Sequence, residues 1–261
     1  MPKKTVKLSK FNAAYLDVGE GVPLVFLHGF LGNSSAWLPI MDELKGEFRC
    51  IALDLLGFGD SAKPQLKYNI WHQVEFLQEF LTAIAIDRFY LIGHSYGGWT
   101  AAAYALTHKT HALTLIAPAG IRDDSFVGRY NYLKPLLWES PLVDWGLKAI
   151  APLSSLMGKK QEFQVIYEAR QALVSQPVAK SFLYDRLRPE DAIDTLEHDI
   201  HKITAPTLVI AGGNDDTIPL WHCQVYADRV PNAEIKILEN ATHALIKTHS
   251  QEVARLIKLN N

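Results

Sequence analysis

Short apolar runs alternating with amphipathic stretches constrain this chain more than any other feature of its sequence. The runs are Pro23 to Leu27 (PLVFL), Arg49 to Asp54 (RCIALD), Phe89 to Gly93 (FYLIG), Leu113 to Ala117 (LTLIA), Thr207 to Ala211 (TLVIA) and Glu234 to Leu238 (EIKIL). Strands that are apolar at nearly every position are buried on both faces, and crossover helices supply that cover. Between the runs, Ile70, Val74, Leu77, Leu81 and Ile84 recur at helical spacing, and Tyr96 to Leu106 and Ala244 to Leu259 read similarly. The expected class is α/β, a mostly parallel central sheet flanked by helices. Val6 to Val18, followed by a Glu20-Gly21 turn, alternates more and predicts antiparallel edge strands.

The alternation lapses between Ala119 and Leu196, where Pro135, Pro141, Pro152, Pro177 and Pro189 punctuate short helical patches. This predicts an inserted helical unit, 119–196, in a core made of 1–118 and 197–261. Its 9 aromatic residues in 78 barely exceed the chain's 27 in 261, so composition does not mark it as a pocket lining. Its ten basic and ten acidic residues cancel, which gives no preference for anionic substrates.

A 48% hydrophobic chain of 261 residues is too apolar for disorder and long enough to bury a large core. With 26 basic against 28 acidic residues it lacks the clustered positive charge that phosphate neutralisation needs, so nucleic acid is not an expected partner. Cys50 and Cys223 fit no metal spacing and no disulfide framework, which suits a reducing compartment. Met1 to Lys10 is basic, but Phe11 to Glu20 holds Asp17, Gly19 and Glu20 in place of an apolar signal core. No stretch reaches the ~18 uncharged apolar residues that span a bilayer. A cytoplasmic protein is therefore expected, with no membrane association indicated and contact of the 119–196 insert with a membrane left open.

Chemistry enters at Gly93-His94-Ser95-Tyr96-Gly97, which follows an apolar strand and precedes a small-residue helix. Chance gives roughly 0.05 G-x-S-x-G matches in a chain of this composition, and the strand-turn-helix context makes an accident rarer still. Flanking glycines tolerate a tight turn that lifts the serine hydroxyl onto a helix N-terminus. A hydroxyl attacks only when a base takes its proton, so Ser95 needs a histidine and a carboxylate to orient it. His243 follows the last strand and precedes the C-terminal helix, where a side chain reaches over the carboxyl edge of the sheet. His108, His111, His198 and His201 read as solvated, and His94 is expected to point away from the nucleophile. After the preceding strand, Gly212-Gly213-Asn214-Asp215-Asp216 offers two acids, of which Asp215 is preferred; the other is then a turn former. The order Ser95, Asp215, His243 is that of α/β-hydrolases.

His28-Gly29-Phe30-Leu31-Gly32 ends another buried run in a loop whose amides could face the elbow. The N–H groups of Phe30 and Tyr96 are the expected oxyanion hole, one such donor being worth about 10²- to 10³-fold in rate. The loop's glycines equally suit a left-handed turn, and His28 reads as structural. Asp54 to Ser61 (DLLGFGDS) lacks the lysine of a phosphate-binding loop and reads as a turn bordering the site.

Over almost its full length the sequence resembles the α/β-hydrolase superfamily, through HGFLG, DLLGFGDS, GHSYGG, GGNDDTIP and NATHAL in the family's order. The resemblance selects Asp215 over Asp216 and implies that 119–196 is a helical cap over the active site. Ser95 separates the chain from haloalkane dehalogenases and epoxide hydrolases, which carry Asp at the elbow. Trp99 stands where menaquinone-pathway cyclohexadiene-carboxylate synthases usually carry arginine. LIAPAGI and ILENATHAL are similar to monoacylglycerol-lipase-like esterases and more loosely to meta-cleavage-product C–C hydrolases.

The expectation is thus a serine hydrolase acting on a small-molecule ester with an apolar part, using Ser95, His243 and Asp215 and neither cofactor nor metal. Leu31, Tyr130 and Trp138 are candidates for its substrate pocket, with Phe126, Trp145 and Tyr167 as further cap aromatics that serve equally as cap core. The alternatives are C–C hydrolysis or a lyase-type elimination with the same triad, and a non-catalytic ligand-binding fold. The sequence leaves acyl length and oligomeric state open.

Overall fold

A computed structural model describes residues 2–126, 140–185 and 194–260. The chain divides into two compact units: Met1–Ala62, Asn69–Arg122 and Asp194–Asn261 form the first, and Lys63–Tyr68 with Asp123–Ile193 the second.

The first unit is built on an eight-stranded sheet of β1 (Lys4–Lys7), β2 (Asn12–Val18), β3 (Val22–Leu27), β4 (Phe48–Leu53), β5 (Tyr90–His94), β6 (Ala112–Ile116), β7 (Thr207–Gly212) and β8 (Ala233–Leu238). Their order is β1-β2-β4-β3-β5-β6-β7-β8. Only the pairings of β2 with β1 and with β4 are antiparallel; from β4 to β8 every neighbour is parallel. All six predicted apolar runs are strands, shifted by no more than a residue or two. β6 and β7 are buried at every position, as two-sided cover requires, whereas edge strand β8 alternates half-buried and exposed residues over Ala233 to Lys236 and buries only Leu238.

The helices of this unit are α1 (Leu38–Leu44), α2 (Ile70–Ala83), α3 (Tyr96–Thr107), α7 (Leu220–Arg229), α8 (Leu245–Thr248) and α9 (Ser250–Asn260). Asn69 starts α2 with a capping box, its Oδ1 accepting the His72 N–H while His72 Nδ1 accepts the Asn69 N–H. From there Ile70, Val74, Leu77 and Leu81 bury the face that the periodicity foretells. The single helix expected over Ala244 to Leu259 breaks instead at His249, between α8 and α9. Helices α1 and α7 are additions to the sequence reading. The first is seven residues long and the second begins directly after Pro219, so neither presents a long periodic pattern.

In the second unit, α4 (Pro141–Leu156) packs on α5 (Lys160–Val174), and α5 on α6 (Pro177–Asp185). Arg170 joins the first pair, its Nε and Nη2 reaching the two carboxylate oxygens of Asp144 at 2.7 and 3.0 Å. The short segment Lys63–Tyr68 belongs to this unit too, and the Tyr68 N–H donates to Ser181 Oγ at 2.8 Å. No helix among the described residues is long and apolar enough to cross a membrane.

Candidate active site

Ser95 lies between β5 and α3 with φ 54° and ψ −116°, in the left-handed half of backbone space that a side chain enters only at a cost of about 1–3 kcal/mol. Here the structure refines the sequence reading. The strained residue is the serine itself, while Gly93 and Gly97 are needed for space. A Cβ on Gly93 would lie 2.2 Å from the Gly97 carbonyl oxygen, and one on Gly97 would lie 2.2 Å from the Leu27 carbonyl oxygen. The same holds in HGFLG, where Leu31 carries the positive φ of 59° and Gly29 gives room to His94 and Ser95.

The three residues expected to act together meet. Ser95 Oγ is 2.9 Å from His243 Nε2, and His243 Nδ1 is 2.8 Å from Asp215 Oδ2. The second oxygen of Asp215 accepts the amides of Thr217 at 2.9 Å and Ile218 at 2.8 Å, which fixes the carboxylate's orientation. Its side chain is 1% exposed and that of His243 is 23% exposed, so the carboxylate is dry and the imidazole reachable. Asp216 is exposed and accepts from Thr217 Oγ1. Two glycines bring the acid loop onto the histidine loop: a Cβ on Gly212 would meet the Ala241 carbonyl oxygen at 2.6 Å, and one on Gly213 the Glu239 carbonyl oxygen at 2.4 Å.

His94, expected to point away from the nucleophile, makes its contacts with His243. Its ring lies against that of His243 with centroids 4.8 Å apart, and its Nε2–H donates to the His243 carbonyl at 3.0 Å. The imidazole is thus held from behind as well as by Asp215. A histidine at the end of a buried strand, next to the elbow, was the available signal, but the face it occupies depends on a loop far away in sequence.

The HGFLG loop is anchored through His28 and Asp54. His28 Nδ1–H donates to the Gly29 carbonyl at 2.8 Å, and Nε2 accepts the Leu55 N–H at 3.0 Å. Asp54, fully buried, accepts the amides of Ser34 at 2.6 Å and Asp60 at 2.8 Å and the Lys3 ammonium at 2.7 Å. Phe58, from the DLLGFGDS turn, packs its ring on those of His28, Phe30 and Tyr96. Leu31 is 37% exposed. Tyr130, Trp138 and the side chain of Phe126 lie outside the described residues. Trp145, another candidate, is 66% exposed, and Tyr167 stacks on Phe163. Trp99 is buried, its indole N–H donating to the Asp194 carbonyl at 3.2 Å.

Burial holds the pKa of His28 at about 4 and that of His94 at about 3, against an ordinary 6.5. A proton on His28 would also set a new N–H against the Leu55 N–H. The unfolded chain protonates both rings near pH 6.5 while the folded protein keeps them neutral. Their contribution is therefore complete above about pH 6.5 and is lost as pH falls towards about 4, at about 1.4 kcal/mol per pH unit for each ring. Urea unfolding midpoints should drop steeply from pH 7 to pH 5, and His94→Gln should flatten the slope by about half; an unchanged slope would contradict the neutral His94.

Two surface clefts of about 480 Å³ lie elsewhere in this unit, one lined by Asp42, His249 and Glu252 among others, the second by Val22, Arg88, Tyr90 and His111 among others. Neither contains a triad residue, so the site is defined by side-chain geometry. Among the described residues no group of three or more His, Cys, Asp or Glu is arranged to hold a metal ion.

Comparison with known proteins agrees with the fold. The chain is 26% identical to monoacylglycerol lipase abhd6-B of Xenopus laevis, over 97% of this chain and 80% of that protein. It is 24% identical to 2-hydroxy-6-oxo-6-(2'-aminophenyl)hexa-2,4-dienoic acid hydrolase of Metapseudomonas resinovorans, over 97% and 88% of the two chains. Among solved structures it resembles a membrane phospholipase A described as a bacterial virulence factor, with a TM-score of 0.78, 26% identity and 99% and 85% of the two chains covered. Residues 24–256 match the alpha/beta hydrolase family, and with the parallel sheet and the elbow between β5 and α3 this makes the chain a member of that family.

Proposed function

We propose that the protein is a serine hydrolase of carboxylic esters with an apolar acyl or alcohol part. The observation that carries this reading is the continuous chain from Ser95 through His243 to Asp215, at 2.9 and 2.8 Å. Ser95 Oγ attacks the ester carbonyl carbon as His243 Nε2 takes its proton, and the carbonyl electron pair moves to oxygen. The amides of Phe30 and Tyr96 receive that oxyanion; Tyr96 opens α3, where the helix dipole favours negative charge. Collapse expels the alkoxide, which takes the proton from the His243 imidazolium and leaves an acyl-serine. Water, deprotonated by His243, attacks next, and the carboxylic acid departs as Ser95 regains its proton. Asp215 keeps the proton of neutral His243 on Nδ1, so that Nε2 is free to act as base.

The similarity to a monoacylglycerol lipase supports an ester substrate. The insert between β6 and β7 is proposed as the cap that selects the apolar part, as the resemblance to the family implies. A second reading is C–C hydrolysis of a vinylogous diketone with the same triad, favoured by the similarity to the dienoic acid hydrolase.

Hydrolysis of p-nitrophenyl esters from acetate to palmitate tests the proposal. Turnover with a chain-length optimum is expected, and Ser95→Ala should lower kcat by about 10⁴-fold or more with the fold retained. Turnover surviving in that variant would remove Ser95 from the mechanism. Feeble ester turnover with Ser95 still labelled by a fluorophosphonate, and with cleavage of a vinylogous 1,5-diketone, would select the second reading.

A further inference from the structure

Of the fourteen large apolar side chains exposed among the described residues, six fall in the seventeen positions from Pro141 to Met157. They are Leu142, Trp145, Ile150, Leu153 and Leu156 in α4 and Met157 just beyond it, each between 52% and 84% exposed. At 100° per residue the five helical positions span an arc of about 140°, so the apolar stripe of α4 faces water. The opposite side is not polar either: Val143, Leu147 and Ala151 are half-buried and Ser154 is buried, on the face that α5 covers. A helix apolar on nearly every side requires cover on two faces, and α5 supplies one.

The charges around the stripe indicate what supplies the other. Asp144, the only acid in α4, is turned to Arg170. Exposed Lys148 flanks the stripe on one side, and exposed Lys159 and Lys160 follow its C-terminal end. An apolar face bordered by three exposed lysines against one exposed acid, Glu162, and carrying an exposed tryptophan is the composition of a helix lying in the interface of an anionic bilayer, apolar side among the acyl chains and lysines among the headgroups. A second copy of the chain fits less well, because pairing about a two-fold axis would bring two lysine borders together.

We propose that the exposed face of α4 docks the protein peripherally on the surface of an anionic lipid bilayer. Leu142, Trp145, Leu153 and Leu156 enter the acyl boundary, and Lys148, Lys159 and Lys160 meet the lipid phosphates. This goes beyond the hydrolase reading, and because binding is measured on Ser95→Ala protein, failure of one does not imply failure of the other.

The test is co-flotation of the full chain with vesicles of phosphatidylcholine, with and without phosphatidylglycerol. Binding is expected to the anionic vesicles, to weaken with salt, and to fall about tenfold or more in Leu153→Glu/Leu156→Glu, whose melting temperature should match the parent. Brominated lipid should quench Trp145 fluorescence, read as the difference between the parent and Trp145→Phe. Absence of binding to either vesicle, binding indifferent to the Glu pair, or a dimer in sedimentation that the Glu pair dissolves would each overturn the proposal.

Discussion

Asp215→Asn should lower kcat by about 10⁴-fold while leaving the melting temperature within a few degrees of the parent. The asparagine is nearly isosteric. Its carbonyl oxygen can go on accepting the amides of Thr217 and Ile218, so the acid turn keeps its shape. Its NH₂ then faces His243, where Asp215 Oδ2 stood 2.8 Å from Nδ1. Two donors cannot share that space, so the imidazole moves its proton to Nε2 and presents N–H, instead of a lone pair, to Ser95 Oγ. The nucleophile loses its base. The neighbouring Asp216→Asn touches only an exposed carboxylate and should leave kcat within about twofold. Steady-state kinetics on the best ester, with a melting curve for each variant, decides it; a loss under tenfold for Asp215→Asn would remove Asp215 from the relay.

Asp54→Ala should destabilise the protein by about 3–5 kcal/mol, which in a chain of this size lowers the melting temperature by about 10 °C. The carboxylate is fully buried and gathers the Ser34 and Asp60 amides and the Lys3 ammonium. Its removal strands the buried Ser34 amide, at about 1–3 kcal/mol, releases the Asp60 amide and takes from Lys3 one of its two carboxylates. Lys3 retains Asp60, whose side chain is 70% exposed, so Asp60→Ala should cost only about 0–1 kcal/mol. Because Ser34 closely follows HGFLG, loss of its anchor also loosens the loop carrying the Phe30 amide, and kcat should fall more than KM rises. Denaturant titration of the two variants separates a buried hub from a surface ion pair; equal midpoints would show that Asp54 holds nothing.

The sheet was legible because each buried strand is a local statement: PLVFL or LTLIA needs cover on both sides wherever it lies. The elbow was legible for a similar reason, since serine between glycines at a strand end, followed by small residues, is a local geometry. Less local features escaped. The break at His249 and the short helix Leu38–Leu44 leave little periodic trace. The glycines of the elbow were recognised, but not why they are there. They admit backbone from other segments, such as the Leu27 carbonyl beside Gly97, and a sequence does not display its neighbours. The contact of His94 with His243 is hidden for the same reason, because its partner is a carbonyl on the loop of His243.

By itself, then, the sequence determined the parallel α/β class, the elbow and the three residues proposed as nucleophile, base and acid, because these follow from residue type and local period. Tertiary structure alone decided three things. It brought Ser95, Asp215 and His243 within hydrogen-bonding distance of one another by setting β5, β6, β7 and β8 side by side. It placed His94 against His243 and Asp54 beneath the HGFLG loop. It also turned the apolar stripe of α4 outward. Periodicity reveals that a helix has an apolar face, but the direction of that face depends on which neighbours the rest of the chain puts beside it.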